Sequence, residues 1–363
     1  MASPRPTQAD VRAAVVEVAS RWQDPDHPRR ADAVAATLAA PNRFTAEAVA
    51  FAVNQQMSLL TPEALTAWAS GTWAAAPLTV GVLNAGNVPL AGLQDALAVL
   101  LAGHHYLGTV SSKSPALLPA FLAEVREHLP VLPVRFVEAA TLFAEAEAVI
   151  ATGSDETADR VAAQCEAHGI PPARRLLRGH RFGVAVIDGQ ESDDEREMLA
   201  EDALLHEGYG CRNVALIWAP AGLAPDPYLD AFAAFRSVFP VHPDLPGALR
   251  MQQAFLEATG QPHAYGEGLE FLLSRGAPEP QRPGHIRWVE YEDLDEVNRW
   301  LHEHAGRIQI VVARDGLRAR LAAGDRLEPL GMAQRPALDW RPDGVDTMAF
   351  LAQLSRDKDE AAG

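Results

Sequence analysis

Leu78-Thr79-Val80-Gly81-Val82-Leu83 runs directly into Asn84-Ala85-Gly86-Asn87-Val88-Pro89-Leu90, and then into a segment carrying Leu93, Leu97, Val99 and Leu100. The order is apolar strand, polar glycine loop, helix. The same texture recurs downstream. Strands are expected at Tyr106–Val110, Pro133–Val137 and Ala148–Thr152, with helices at Ala116–His128, Ala140–Ala146 and Glu156–His168. Such alternation predicts a parallel, doubly wound α/β sheet. Ligands of these sheets sit at the carboxyl ends of the strands. The loops at Asn84–Pro89, Ser111–Pro115 and Thr152–Asp155 should therefore line one crevice.

Upstream, residues 4–75 read as helical. Thr7 can cap a segment whose Val11, Val15, Val18 and Trp22 share a face. Pro25, Pro28 and Arg29-Arg30 interrupt it, and helices follow at Asp32–Leu38 and Thr45–Leu60. Downstream, a second α/β block starts near Gly179 with strand Phe182–Ile187. The acidic stretch Asp188–Glu197 reads as the solvated start of a helix reaching His206. Strand Val214–Trp218, helix Tyr228–Phe235, a strand ending at Tyr291, helix Leu294–His304 and strand Ile308–Val312 follow. Gly276–Pro283 reads as a loop, and a short helix ends the chain.

The chain has 363 residues, 48% of them hydrophobic and 22% charged, and a formal net charge of −17. That charge argues against a nucleic-acid partner, which needs a basic footprint; an anionic small molecule needs only a local positive field. No apolar core follows Met1-Ala2-Ser3-Pro4, and no run of about 18 apolar residues occurs, so neither a signal peptide nor a membrane span is expected. Two cysteines cannot build a disulfide framework, and a reducing cytoplasm is the expected compartment. No metal site is expected.

One of those cysteines lies in Gly208-Tyr209-Gly210-Cys211-Arg212-Asn213-Val214. Glycines before the thiol allow a tight turn and an open approach to sulfur. Position alone leaves two readings: a nucleophile facing a cleft, or a small buried hydrophobe. Cys165, in a helical pattern, reads as core.

Taken together, the motifs resemble a family. Asn84–Leu90, Gly108 with Ser111–Pro115, Ala151-Thr152-Gly153-Ser154, Asp188-Gly189-Gln190-Glu191-Ser192, Gly208–Val214 and Asp343-Gly344-Val345-Asp346-Thr347 are similar, in kind and order, to the acyl-CoA reductase (LuxC) family. That family is a branch of the aldehyde dehydrogenase superfamily, and the likeness spans about residues 78–351. It implies an aldehyde dehydrogenase-like fold with four parts: an N-terminal helical segment (1–77), a dinucleotide-binding domain (78–178), a catalytic thiol domain (179–330) and a C-terminal return segment (331–363). The active site should then lie between the two middle domains.

The resemblance implies NAD(P)H-dependent reduction of a fatty acyl thioester to an aldehyde. Cys211 resembles the nucleophile, which needs help to ionise from a pKa near 8.5; His206, Arg212 and backbone amides are candidates. Asn87, before Val88-Pro89, resembles the side-chain donor to the oxyanion, with the Cys211 amide as the other donor. Lys113 resembles the lysine on the adenosine ribose, and with Ser112 it could meet a 2′-phosphate, so NADPH is expected, with NADH as the alternative. Gly153 and Ser154 resemble the segment that holds the pyrophosphate at a helix N-terminus. A homo-oligomer, or a complex with an acyl-transfer enzyme, is a further expectation.

Two departures stand out. Hydrolytic relatives carry a glutamate base some three dozen residues before the nucleophile; here that stretch is Arg174-Arg175-Leu176-Leu177-Arg178-Gly179-His180, with no carboxylate. An enzyme that does not activate water has no need of one, and His180 could protonate a leaving group. The ribose-binding glutamate expected upstream of Ile286 is matched only by Glu279-Pro280-Gln281-Arg282. Two alternatives remain: a CoA-acylating aldehyde dehydrogenase working in reverse, and a non-reducing partner that carries an acyl group on Cys211.

Overall fold

The computed structural model describes residues 5–362, with side chains as far as Ser355. The chain forms two compact units. One comprises the residues up to Asn42, Val49–His180 and those from Ala337; the other comprises Arg43–Ala48 and Arg181–Pro336.

The chain begins with α1 (Gln8–Trp22), α2 (Pro28–Leu38), α3 (Ala46–Leu59) and α4 (Pro62–Trp68). Thr7 and Asp10 cap each other's backbone at the start of α1, and Val11, Val15, Val18 and Trp22 form its buried face, as the spacing predicts. The Trp22 indole N–H donates to the buried Glu124 carboxylate at 2.8 Å. The prolines do separate α1 from α2, but α2 begins at Pro28 rather than at the expected Asp32, since a first-turn residue has no N–H bond to lose.

The first sheet follows as β1 (Thr79–Leu83), α5 (Leu93–Leu101), β2 (His105–Gly108), α6 (Leu117–His128), β3 (Val134–Phe136), α7 (Ala139–Glu145), β4 (Ala148–Thr152), α8 (Asp155–Ala167) and β5 (Arg175–Arg178). Its five strands are all parallel, in the order β3-β2-β1-β4-β5. The sequence pattern does not reveal β5, because Arg-Leu-Leu-Arg is too short for a two-residue period to show. Leu142 and Phe143 of α7 and Val161 and Cys165 of α8 cover one face against Leu107, Val149 and Ala151. Cys165 is core, as expected.

The second unit contains β6 (Phe182–Val186), α9 (Asp193–Leu204), β7 (Val214–Pro220), α10 (Asp226–Val238), α11 (Leu245–Ala258), β8 (His263–Tyr265), β9 (Leu272–Arg275), β10 (His285–Tyr291), α12 (Leu294–Glu303), β11 (Ile308–Val312), α13 (Asp315–Arg318) and β12 (Leu327–Glu328). The strand order is β12-β11-β6-β7-β10-β9-β8, parallel except for the antiparallel edge pair β8–β9. Along β7, Ile217 and Ala219 pack toward α9 and α10, while Leu216 and Trp218 pack toward α12 and α13. Both faces are buried, so the strand reads as a continuous apolar run rather than an alternation. Helix α11 escaped the sequence reading because Met251 and Phe255 are exposed on one side while Leu245, Leu249 and Leu256 are buried on the other.

The acidic stretch before α9 is only partly solvated. Ser192 and Glu195 form a capping box, and Asp193 and Asp194 are exposed. Glu191, however, is buried, accepting the N–H groups of Asp188 and Gly189 at 3.0 Å each and the Tyr228 hydroxyl. A carboxylate with three donors tolerates burial.

The chain ends in α14 (Thr347–Ala362), which returns to the first unit and packs on α5. Nearly all of α5 is buried, Asp95 included. Arg178, at the end of β5, donates to both Asp95 oxygens at 2.8 and 2.9 Å and to the Thr347 hydroxyl at 2.7 Å. Gln94 donates to the Leu338 and Trp340 carbonyls at 2.8 Å each. This network ties Thr347, the last residue of the Asp343–Thr347 motif, and the 338–340 segment to β5 and α5. Among the described residues, no helix is long and apolar enough to cross a membrane.

Arg178→Met would leave Asp95 buried without its cation. Chemical denaturation of the first unit should then show a loss of ~3–5 kcal/mol, and the double change Asp95→Leu with Arg178→Met a smaller one.

Candidate active site

In the first unit, six of the seven residues singled out from the sequence lie past the carboxyl ends of strands in one sheet. Asn87 follows β1, Ser112 and Lys113 follow β2, Gly153 and Ser154 follow β4, and His180 follows β5. The β1 and β2 loops meet closely: a Cβ on Gly86 would lie 1.8 Å from the Ser111 hydroxyl, so only glycine fits there. Asn84 joins the same two loops, its side-chain amide donating to the Tyr106 hydroxyl and the Thr109 carbonyl at 2.7 Å each. The other amide atom, Asn84 Oδ1, is buried and without a hydrogen-bond partner among the described residues. Asn87 is half-buried, whereas Ser112, Lys113 and Ser154 are exposed.

Ser154 caps α8, its hydroxyl accepting the Thr157 N–H at 3.2 Å. The Gly153 N–H donates to the Arg178 carbonyl at 3.1 Å. His180 is exposed, and its backbone N–H donates to Asp155 at 2.7 Å. The stretch from Arg174 to His180 includes β5, and its Arg178 is committed to Asp95.

Cys211 belongs to the second unit. After α9 the chain passes through three consecutive left-handed residues: His206 (φ 55°), Glu207 (φ 56°) and Gly208 (φ 74°). For a non-glycine residue this conformation costs ~1–2 kcal/mol, so other contacts must hold it. Gly208 is required on space as well, since a Cβ there would lie 2.8 Å from the Gly284 nitrogen. Glu207 is buried; it accepts from Arg236 at 3.0 Å and from the His242 N–H at 3.1 Å.

Next comes a tight turn closed by the Asn213 N–H on the Gly210 carbonyl at 3.0 Å, with Cys211 as its second residue. The Asn213 side chain holds both ends of this segment. Its Oδ1 accepts the Gly210 N–H at 2.8 Å, and its Nδ2 donates to the carbonyls of Leu205 at 2.7 Å and Asp202 at 3.2 Å. Orphan carbonyls at the end of α9 are thereby satisfied. Cys211 is half-buried and forms no disulfide.

Arg212 is buried, donating to the Ala333 carbonyl at 2.6 Å and the Met332 carbonyl at 3.0 Å. Burial pulls its guanidinium down to about 10, while negative charge on Cys211, Glu328 and Asp202 favours the cation. It stays charged at neutral pH, and its attraction to a thiolate at Cys211 is mutual. Burial instead pulls His206 down to about 4, which leaves that imidazole neutral at pH 7. Of the two side chains considered for the thiolate, Arg212 is the cation.

Sequence reasoning missed Glu207, Arg236, Asp202 and the double role of Asn213. Asn213 stands in the quoted motif and could have been suspected as a cap; Arg236 and His242 reach Glu207 only through the fold. Among the described residues, no group of three or more His, Cys, Asp or Glu side chains is placed to hold a metal.

The fold is that of the aldehyde dehydrogenases. At 13% identity, the structure of methylmalonate-semialdehyde dehydrogenase (DddC) from Oceanimonas doudoroffii superposes with a TM-score of 0.67, covering 95% of this chain and 84% of that one. An NAD-dependent benzaldehyde dehydrogenase from Corynebacterium glutamicum gives 0.66 at 13% identity, over 89% and 80%. An oxidoreductase from Marinobacter aquaeolei gives 0.68 at 12%, over 91% and 79%. Comparison with curated proteins finds no sequence match. The protein is an oxidoreductase by class. Residues 69–222 match the sequence model of the acyl-CoA reductase (LuxC) family.

Asp202 offers a pH test of the cysteine loop's support. It is fully buried and accepts the N–H groups of Gly331 at 2.7 Å and Ala333 at 2.9 Å. Burial pushes its carboxyl up to about 7, against the pull of those amides and Arg212. The unfolded value is near 4, so the folded carboxyl holds its proton more tightly. Its contribution to stability is complete below about pH 4 and is lost as pH rises toward 7. The thermal midpoint of the native protein relative to Asp202→Asn should therefore fall across that range; a constant difference would contradict the assignment.

Proposed function

We propose that this protein reduces a fatty acyl thioester, such as an acyl-CoA, to the aldehyde with a reduced nicotinamide cofactor. The observation that carries the reading is the family match over residues 69–222, which includes Cys211 on its strained turn beside the buried Arg212.

The residues supply a consistent sequence of steps. The Cys211 thiolate, favoured by Arg212, adds to the acyl carbonyl. The Cys211 N–H stabilises the resulting oxyanion. Collapse expels the CoA thiolate and leaves the acyl group as a thioester on Cys211. Thiolate attack on a thioester exchanges one C–S bond for another, so little energy separates the two sides. When bound, the reduced nicotinamide supplies the hydride. Loss of Cys211 from the reduced carbon then releases the aldehyde and restores the thiolate, and one solvent proton balances the reaction.

The crevice at the carboxyl ends of β1, β2 and β4 fits such a cofactor. The unsatisfied Oδ1 of Asn84 calls for a donor, which ribose hydroxyls and a carboxamide carry. Ser112 and Lys113 would take the adenosine ribose, and Gly153-Ser154 the pyrophosphate. The Ser111–Pro115 loop carries no carboxylate and has one lysine, which favours NADPH over NADH.

Incubation with a long-chain acyl-CoA should add one acyl group to the intact protein, mapped to Cys211 and discharged by NADPH. Cys211→Ala should abolish both acylation and aldehyde formation; retained turnover would sink the mechanism. Acylation that neither NADPH nor NADH discharges would favour an acyl-carrying role. Arg212→Lys should shift Cys211 alkylation toward higher pH, because an ammonium cannot keep both carbonyl bonds of the planar guanidinium.

A further inference from the structure

Three of the contacts around the cysteine loop have no part in the steps above. The Glu207 carboxylate is held by Arg236 at 3.0 Å and by the His242 N–H at 3.1 Å. Both partners of the ion pair are buried, with side-chain exposures of 2% and 4%. Arg43 stacks on the Tyr209 ring with its guanidinium carbon 5.3 Å from the ring centre, and it also bonds the Tyr209 hydroxyl. Arg43 therefore sits with the second unit, apart from the residues that precede it. Its positive charge also acts on Glu207.

We infer that Glu207, clamped by Arg236 and supported by Arg43 through Tyr209, is a positioning residue that fixes the direction of the Cys211 thiol and backbone N–H. The inference rests on the reading of Cys211 as nucleophile. Replacing a buried ion pair with apolar side chains of similar size is often neutral or stabilising, so stability alone does not explain this one. Its location does. Glu207 is itself one of the left-handed residues, and only Gly208, Tyr209 and Gly210 separate it from Cys211. Two of those three are glycines, which have no side chains to resist a change of direction. The carboxylate is fixed from above by Arg236 and the His242 amide, and Tyr209 is fixed by Arg43. With both held, the peptide that carries the Cys211 N–H has little freedom, and an oxyanion donor works only when aimed in advance. Asn213 holds the far side of the turn, so the clamp completes the constraint.

The test compares Glu207→Gln, Arg236→Lys and Arg43→Met with the native protein. Glu207→Gln keeps an oxygen for the His242 N–H but loses the charge. The pH–rate profile of Cys211 alkylation by iodoacetamide, read by intact mass and peptide mapping, requires no substrate. Single-turnover acylation by acyl-CoA is measured alongside. Glu207→Gln should shift the alkylation profile and slow acylation by about tenfold to a hundredfold with half-saturating acyl-CoA nearly unchanged. Arg236→Lys should fall between it and the native protein. Unchanged profiles and acylation rates in a folded Glu207→Gln would overturn the clamp. Should that variant not fold, Arg43→Met decides, since it removes the support on Tyr209 without uncovering a buried charge: a shifted profile supports the clamp and a native one refutes it. Failure of the nucleophile reading would appear separately, as turnover retained in Cys211→Ala.

Discussion

Both sheets are buried on two faces, and that constraint organises the molecule. A parallel strand covered by helices above and below has no solvent face on which to display polar groups. Polar chemistry is therefore confined to strand ends and to the loops beyond them. In the first unit, every residue considered for catalysis or cofactor binding follows the carboxyl end of β1, β2, β4 or β5. In the second, the cysteine turn immediately precedes the amino end of β7, whose apolar residues anchor it from both sides.

The turn itself shows how a reactive group is kept rigid without secondary structure. Its backbone occupies conformations that non-glycine residues avoid. The surroundings over-determine it: Asn213 spans from the last carbonyls of α9 to the Gly210 amide, Glu207 is tied to Arg236, and Arg212 is tied to the Met332 and Ala333 carbonyls. Asp202 fixes the 331–333 segment in turn by accepting its amides. Arg212 is thus a structural strut that keeps its positive charge next in sequence to Cys211. Bound to two carbonyls, its guanidinium is held in place beside Cys211.

Several readings were legible because they rest on local chemistry. Thr7 and Ser192 cap helices through contacts three residues away. The face Val11, Val15, Val18, Trp22 has helical spacing. The run Val214–Trp218 is apolar without interruption. Other features were not legible, for equally physical reasons. β5 is four residues long. α11 carries apolar residues on its exposed side. Glu191 resembles its solvated acidic neighbours until Tyr228 and two backbone amides are brought to it.

The sequence by itself determined the strand–helix alternation, the glycine loops at strand ends and the motif order that resembles the acyl-CoA reductase (LuxC) family, because each is encoded within a few residues or in linear order. Tertiary structure alone decided which charges are paired. Arg178 meets Asp95 across 83 positions, Arg236 meets Glu207 across 29, and Arg43 meets Tyr209 across 166. It also decided that His206 is neutral while Arg212 is charged, since desolvation and partner choice depend on what the fold packs around each group, and no local pattern records that.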